Sequence, residues 1–253
     1  MKRLVLAVLL AGAGGAVFGA VPFDVAVQGP RPDDPLILQG DYTAAASSGA
    51  PVLVMLHGLG SNRGEWTPLI QRAVLRGWGA LAYDLRGHGR SRGTIAGQSV
   101  NFEEPKNGRS PAFWQHFPDD LEKVVAALEK TPGTARIRIV LVGASVGANT
   151  ALNAAPRLPA VRALVLLSPG LEYAGLFTES PMTALSTPAL MIAAEPDLYS
   201  YTSCERLKTL APPNLLTWKP LARGTPRGAH GVQLFDGKLE EKILDWIAGT
   251  SKR

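Results

Sequence analysis

Residues 136–148 read RIRIVLVGASVGA, and this run decides the architecture of the 253-residue chain. The β-branched residues Ile137, Ile139, Val140 and Val142 lead straight into Gly143-Ala144-Ser145-Val146-Gly147. A helix-compatible stretch follows, from Asn149 to Ala155. The pattern is a strand, a very tight turn and a helix. A serine at the tip of such a turn is held in a strained backbone conformation, with its hydroxyl projecting clear of the sheet. Gly143 and Gly147, two residues either side of it, leave out the Cβ atoms that would collide with the neighbouring strand or helix.

Working outward, 51–56 (PVLVML) and 79–83 (GALAY) are short apolar runs without alternation, the signature of strands buried on both faces. The first ends in His57-Gly58-Leu59-Gly60, the second in Asp84-Leu85-Arg86-Gly87-His88-Gly89-Arg90-Ser91. Residues 163–167, 189–193 and 215–218 read as further strands, and 65–76, 200–210 and 239–247 have helical character. Strands alternating with helices predict a mostly parallel sheet with helices on both faces. Val21–Gln28 and Leu36–Ala44 predict an antiparallel start to that sheet. The stretch from Ile95 to Pro118 reads as a long irregular connection rich in aromatics, with Asp119 capping a helix from Leu121 to Lys130.

A lone G-x-S-x-G is common in unrelated sequences. Here H-G-x-G, D-x-R-G-H-G-x-S and G-x-S-x-G occur in that order and spacing, and together they resemble the α/β-hydrolase superfamily. The resemblance covers 52–155 strongly and continues more weakly to the last helix. It implies an α/β-hydrolase fold of one domain, 21–253. Members often insert a lid after the strand that follows the nucleophile helix. Here that insertion is 170–188, so little or no lid domain is expected and the site should be open.

The resemblance also implies roles. Ser145 is the expected nucleophile, and it needs a general base to act at neutral pH. His230, in Arg227-Gly228-Ala229-His230-Gly231, is the only one of four histidines that follows it. The acid is expected after the strand preceding the last one. Asp197 fits and Glu195 is the rival, with Ala194 standing where the family usually has glycine. Backbone N–H groups of Leu59 and Val146 would form the oxyanion hole. Gly58 and Gly60 would shape its loop, and His57 would orient that loop rather than act as a base. Asp84, Arg86 and His88 read as a structural turn, His116 as a packed histidine, and Cys204 as a small core residue. The loop 102–117 and the segment 171–187 are expected to shape the pocket.

The reaction so implied is hydrolysis of a small-molecule carboxylic ester through an acyl-enzyme, with no metal and no cofactor. Serine at the elbow argues against the superfamily's dehalogenases and epoxide hydrolases, which use aspartate there. An amidase, peptidase or thioesterase of the same fold stays open, as does a non-catalytic binding protein on the scaffold. Neither the leaving group nor the oligomeric state follows from the sequence.

Composition sets outer bounds. One cysteine excludes an intrachain disulfide and a cysteine-rich zinc site. Positive residues are scattered, which argues against a nucleic-acid footprint. Lys2-Arg3, the apolar Leu4–Leu10 and the small residues of 11–16 predict an export signal within 1–20. Cleavage after Ala16 or Gly19 is favoured over cleavage after Ala20, which places Phe18 at the −3 position. Losing Lys2 and Arg3 takes the formal charge from +5 to +3. The expected location is therefore periplasmic or secreted, with no stable membrane span after cleavage. The alternative is an uncleaved anchor, since Leu4–Val21 is nearly long enough to span a bilayer.

Overall fold

The computed structural model describes residues 19–131, 134, 137–221 and 229–250. The expected export signal and its first cleavage site lie outside the described residues, as do Arg227 and Gly228 of the histidine loop. The chain opens with an antiparallel pair, β1 (Val21–Arg31) and β2 (Asp34–Thr43), then enters β3 (Pro51–Leu56). A short 3-10 turn, Arg63–Trp66, leads into α1 (Thr67–Leu75) and β4 (Gly79–Tyr83). Next come α2 (Pro105–Gly108), α3 (Pro111–Glu129), β5 (Arg138–Ala144) and α4 (Val146–Ala154). Strand β6 (Val161–Leu167) precedes a two-stranded hairpin, β7 (Glu172–Tyr173) and β8 (Leu176–Phe177), and the short α5 (Glu179–Thr183). The chain closes with β9 (Ala189–Ala194), α6 (Leu198–Leu210), β10 (Leu216–Leu221) and α7 (Lys238–Thr250).

Eight strands form one sheet in the order β1-β2-β4-β3-β5-β6-β9-β10, parallel from β4 onward. The apolar runs are continuous because each strand feeds two cores. In β5, Ile139 and Leu141 join the core beneath α3, α4 and α6, while Val140 and Val142 join the core beneath α1 and α7. The carboxyl ends of β3, β5, β6 and β9 point to one rim of the sheet, where open α/β sheets gather their sites.

The segment before Leu121 differs from the sequence-based expectation. It is not irregular throughout: α3 begins at Pro111, and Asp119 lies inside the helix, exposed and paired with Arg157 at 2.9 Å. Phe113, Trp114 and Phe117 continue the buried stripe of Leu121, Val124, Val125 and Leu128 about two turns upstream. Pro118, inside the helix, removes a backbone donor and costs about 3 kcal/mol. Burying three aromatic side chains at roughly 1.5–3 kcal/mol each exceeds that penalty, so the helix runs through the proline.

The insertion after β6 carries only the β7–β8 hairpin and α5. The hairpin is pinned to α4: Asn149 donates to the Leu176 carbonyl at 2.8 Å and accepts the Gly170 N–H at 3.1 Å. Its tip meets the start of α3, where a Cβ on Gly175 would lie 3.6 Å from Pro111 Cβ. Among the described residues no lid domain stands over the rim. Among the described residues no helix is long and apolar enough to cross a membrane.

Candidate active site

Strand β5 ends and α4 begins with a single residue between them, Ser145, at φ 56° and ψ −122°. This is a conformation that L side chains rarely adopt, stored here because both flanks are fixed. The Ser145 N–H completes the ladder to the Leu167 carbonyl at 2.9 Å, and its carbonyl accepts the Ala148 N–H at 2.9 Å. The two glycines are required by contact. A Cβ on Gly143 would lie 2.6 Å from Ala148 Cα, and one on Gly147 would lie 2.7 Å from the His57 carbonyl oxygen. The turn can be this tight only with hydrogen at both positions.

Val146 is the first residue of α4, so its N–H has no intrahelical acceptor and stands at the positive end of the helix. The Gly58–Ser61 turn faces it. This turn closes by a Ser61 N–H to Gly58 carbonyl bond of 3.2 Å, and Gly60 takes φ 74° at its third position. A Cβ on Gly58 would stand 3.6 Å from Ser145 Cβ, so the turn lies directly against the serine. Leu59 occupies the second position, more than half exposed. Among the described residues no acceptor engages its N–H.

His57 braces this turn from below. It is fully buried, and its Nε2 accepts the Leu85 N–H at 2.9 Å, so the proton sits on Nδ1 and is donated to the Gly58 carbonyl at 2.7 Å. Burial first, then the charge of His88, holds its pKa down at about 3. A neutral imidazole with both nitrogens bonded to backbone has no role left as a base. Glu65 braces the turn from the side: its carboxylate accepts the Gly58 N–H at 3.1 Å and the Ser61 hydroxyl. Burial pushes the Glu65 carboxyl up, and Ser61, the Gly58 N–H and the charge of His230 pull it back only in part.

The loops after β9 and β10 bring Asp197 and His230 together, Oδ2 to Nδ1 at 2.6 Å. Glu195 stays in the sheet ladder, its N–H on the Leu221 carbonyl at 3.0 Å. Burial raises the Asp197 carboxyl. The hydrogen bonds and charge of His230, with the hydroxyls of Ser200 and Ser168, outweigh it and hold the group below the usual carboxylate value. His230 is positioned through its backbone: Gln233 Oε1 accepts its N–H at 3.2 Å, and the next N–H, Gly231, reaches Ser168 Oγ at 3.0 Å. Gly231 has φ 57°, and a Cβ there would meet Ala144 Cβ at 3.1 Å, so the loop packs against the foot of the elbow.

Tyr173 covers this group from the hairpin. Its hydroxyl lies 3.0 Å from Ser200 Oγ and 3.5 Å from the Ser168 carbonyl oxygen, and its ring meets the His230 ring edge-on at 6.2 Å. Ser168, Ser200, Gln233 and Glu65 are members of the site that sequence reasoning missed, while Tyr173 lies within 171–187, the segment expected to shape the pocket. Ser168 was the one with a signal: it directly follows a buried parallel strand, at the rim where sites gather.

The Asp84–Ser91 segment stays outside. Asp84 accepts the Arg63 and Arg90 N–H groups at 2.8 Å each and pairs with the Arg63 guanidinium. Arg86 forms a buried two-pronged pair with Asp120 of α3, at 2.8 and 2.6 Å. His88 is buried and stacks on Phe102 at 3.9 Å. His116 is half-buried on α3, its pKa lowered by burial and then by the Arg86 charge. Cys204 is fully buried in α6. Among the described residues no three His, Cys, Asp or Glu side chains gather where they would hold a metal ion.

A family model described as "Serine aminopeptidase, S33" matches residues 48–204, more than half of the chain. No curated protein sequence matches it. Among solved structures, a dienelactone hydrolase from Anabaena variabilis superposes with a TM-score of 0.67 at 18% identity, covering 91% of this chain and 98% of that one. An esterase from Pyrococcus furiosus gives 0.65 at 16% identity, covering 92% of each. A peroxisomal α/β-hydrolase from Saccharomyces cerevisiae gives 0.70 at 13%, covering 92% of this chain and 89% of that one. At these identities the likeness is one of fold.

Proposed function

The chain belongs to the serine aminopeptidase S33 family of α/β-hydrolases, and on that premise we propose that it is a serine hydrolase cleaving small carboxylic esters through an acyl-enzyme. The observation that carries this reading is Ser145, held at φ 56° on the rim where the Asp197–His230 pair also stands. In the proposed cycle His230 takes the Ser145 hydroxyl proton as Oγ attacks the ester carbonyl. The developing oxyanion is met by the N–H groups of Leu59 and Val146, worth a few kcal/mol in such sites. Collapse breaks the bond to the alcohol, which leaves with the proton from His230. Water, deprotonated by His230, then releases the acid and restores Ser145. Asp197 keeps the imidazole proton on Nδ1 and balances the transient imidazolium.

An ester is favoured over a peptide with a free N-terminus by the charges at the rim. Selecting an ammonium group requires a carboxylate available to it. Asp197 is engaged by His230, Glu65 by Gly58 and Ser61, and Glu172 by the Gly175 N–H. The exposed side chains at the rim include Leu59, Leu198 and Tyr199, which suit an uncharged substrate. The short hairpin insertion supports a small, freely entering ester. The N-terminal pattern of Lys2-Arg3, an apolar run and small residues supports a periplasmic or secreted location, with loss of the signal. The test is turnover of p-nitrophenyl esters of rising chain length by wild type and Ser145→Ala. Ser145-dependent turnover that falls with chain length supports the reading; equal turnover by the variant overturns it.

A further inference from the structure

We propose that Glu65 is a positioning residue: its carboxylate spans the Gly58–Ser61 turn and fixes where the Leu59 N–H points, so that it sets the rate of the chemical step without touching substrate. This rests on the proposed Ser145 chemistry.

The turn it holds is exposed and has few other attachments. Leu59 projects into solvent, and the only bond inside the turn is the one from the Ser61 N–H to the Gly58 carbonyl. His57 also bonds to the Gly58 carbonyl, so both attachments converge on a single atom of the turn. Glu65 supplies the missing constraint at both ends at once. One carboxylate oxygen takes the Gly58 N–H at 3.1 Å, and the other takes the Ser61 hydroxyl. The two contacts bracket Leu59.

Glu65 is itself rigidly mounted. It lies on the 3-10 turn Arg63–Trp66, whose start is capped by Asn62 accepting the Gly64 N–H at 2.9 Å. The adjoining Trp66 is fully buried in the core beneath α1 and α7. Arg63, on the other side, is tied to Asp41 and Asp84. The brace therefore joins an exposed turn to an element anchored in the core. A donor displaced by about an ångström loses most of its effect on an oxyanion, because that effect depends on pre-set geometry.

The position, not the charge, is the operative feature, and this separates two substitutions. Glu65→Gln keeps an oxygen acceptor for the Gly58 N–H at the same reach. Glu65→Asp keeps the charge but falls one methylene short. The measurement is kcat and KM on p-nitrophenyl acetate, with the rate of Ser145 labelling by a fluorophosphonate, for wild type, E65A, E65D and E65Q. The phosphonyl oxygen occupies the same site as the oxyanion, so labelling reads the turn even where ester turnover is absent. Thermal melts establish that each variant is folded, and Ser61→Ala serves as a second, milder cut of the brace. The expected result is a fall in kcat and in labelling rate for E65A and E65D on the order of 10- to 100-fold, less than the loss of a donor outright. KM should stay within about 3-fold, E65Q should recover most of the rate, and S61A should lose a smaller fraction. Wild-type labelling rates in folded E65A and E65D overturn the proposal while leaving Ser145 as nucleophile. So does E65D matching wild type while E65Q does not. Labelling of wild type without ester turnover overturns the ester reading and leaves the Glu65 comparison intact. A folded wild type that takes no label overturns both.

Discussion

Asp197 and His230 come from different strand–helix connections, yet Asp197 Oδ2 stands 2.6 Å from His230 Nδ1. The contact fixes the imidazole tautomer, with the proton on the nitrogen that faces the carboxylate. In Asp197→Asn an amide of the same shape no longer enforces that tautomer. We expect kcat to fall about 10³–10⁴-fold with KM nearly unchanged. Glu195→Gln, outside the pair, should keep turnover within about 2-fold. Steady-state kinetics on a short p-nitrophenyl ester check both.

The same pair gives a pH dependence of stability. Asp197 lies below its ordinary value of 3.8 in the folded chain. A depressed carboxylate contributes stability that is complete above the unfolded value and is lost as pH falls through the folded one. The gap in melting temperature between wild type and Asp197→Asn should therefore be present at pH 5 and narrow toward pH 3. Melting curves across that range measure it; a gap that widens in acid contradicts the assignment.

Tyr173 touches Ser200 through its hydroxyl and His230 through its ring. Tyr173→Phe removes one hydrogen bond, worth about 1 kcal/mol, and should lower kcat roughly 5-fold. Tyr173→Ala also uncovers the imidazole and should lower it further. Equal rates for all three proteins would show that the hairpin residue is only a wall.

Gly147 faces the backbone of β3 closely enough that a methyl group has no room: a Cβ would lie 2.7 Å from the His57 carbonyl oxygen. Gly147→Ala must push α4 away from the sheet, at a cost of about 1–3 kcal/mol for overpacking. That corresponds to a fall in melting temperature of roughly 2–12 °C at about 2–4 °C per kcal/mol for a chain of this size. Activity should fall as well, because the same displacement moves the Val146 N–H.

Arg86 and Asp120 are a buried two-pronged ion pair away from the rim. Removing one partner leaves an uncompensated charge, so Asp120→Ala should cost about 3–5 kcal/mol of stability. Where the variant remains folded, at low temperature, its kcat should match wild type. A folded variant with lost turnover would give this loop a chemical role.

The parallel strands and the elbow were legible because their signals are local. Apolar runs without alternation mark β3, β5, β6 and β9, and glycines at 143 and 147 mark a turn with no room for a Cβ. Helix α3 was misread upstream of Leu121 because Pro118 and Asp119 are both strong local boundary signals. What overrides them is burial of Phe113, Trp114 and Phe117, a tertiary effect that the local sequence does not carry. The supporting residues of the site were hidden for a related reason. Glu65 lies in a stretch with helical spacing, and Ser200 lies in the first turn of α6, where the sequence reads only as a helix. Their partners are distant in sequence, so only the assembled rim shows what they touch.

The central claim is that Ser145 is an activated nucleophile. The direct measurement is fluorophosphonate labelling of the purified protein beside Ser145→Ala and His230→Ala, read by intact-mass spectrometry. The account predicts one phosphonyl adduct on wild type, mapped to Ser145, none on Ser145→Ala, and labelling slowed by orders of magnitude on His230→Ala. An adduct that persists in Ser145→Ala, or a folded wild type that takes no label, would contradict it.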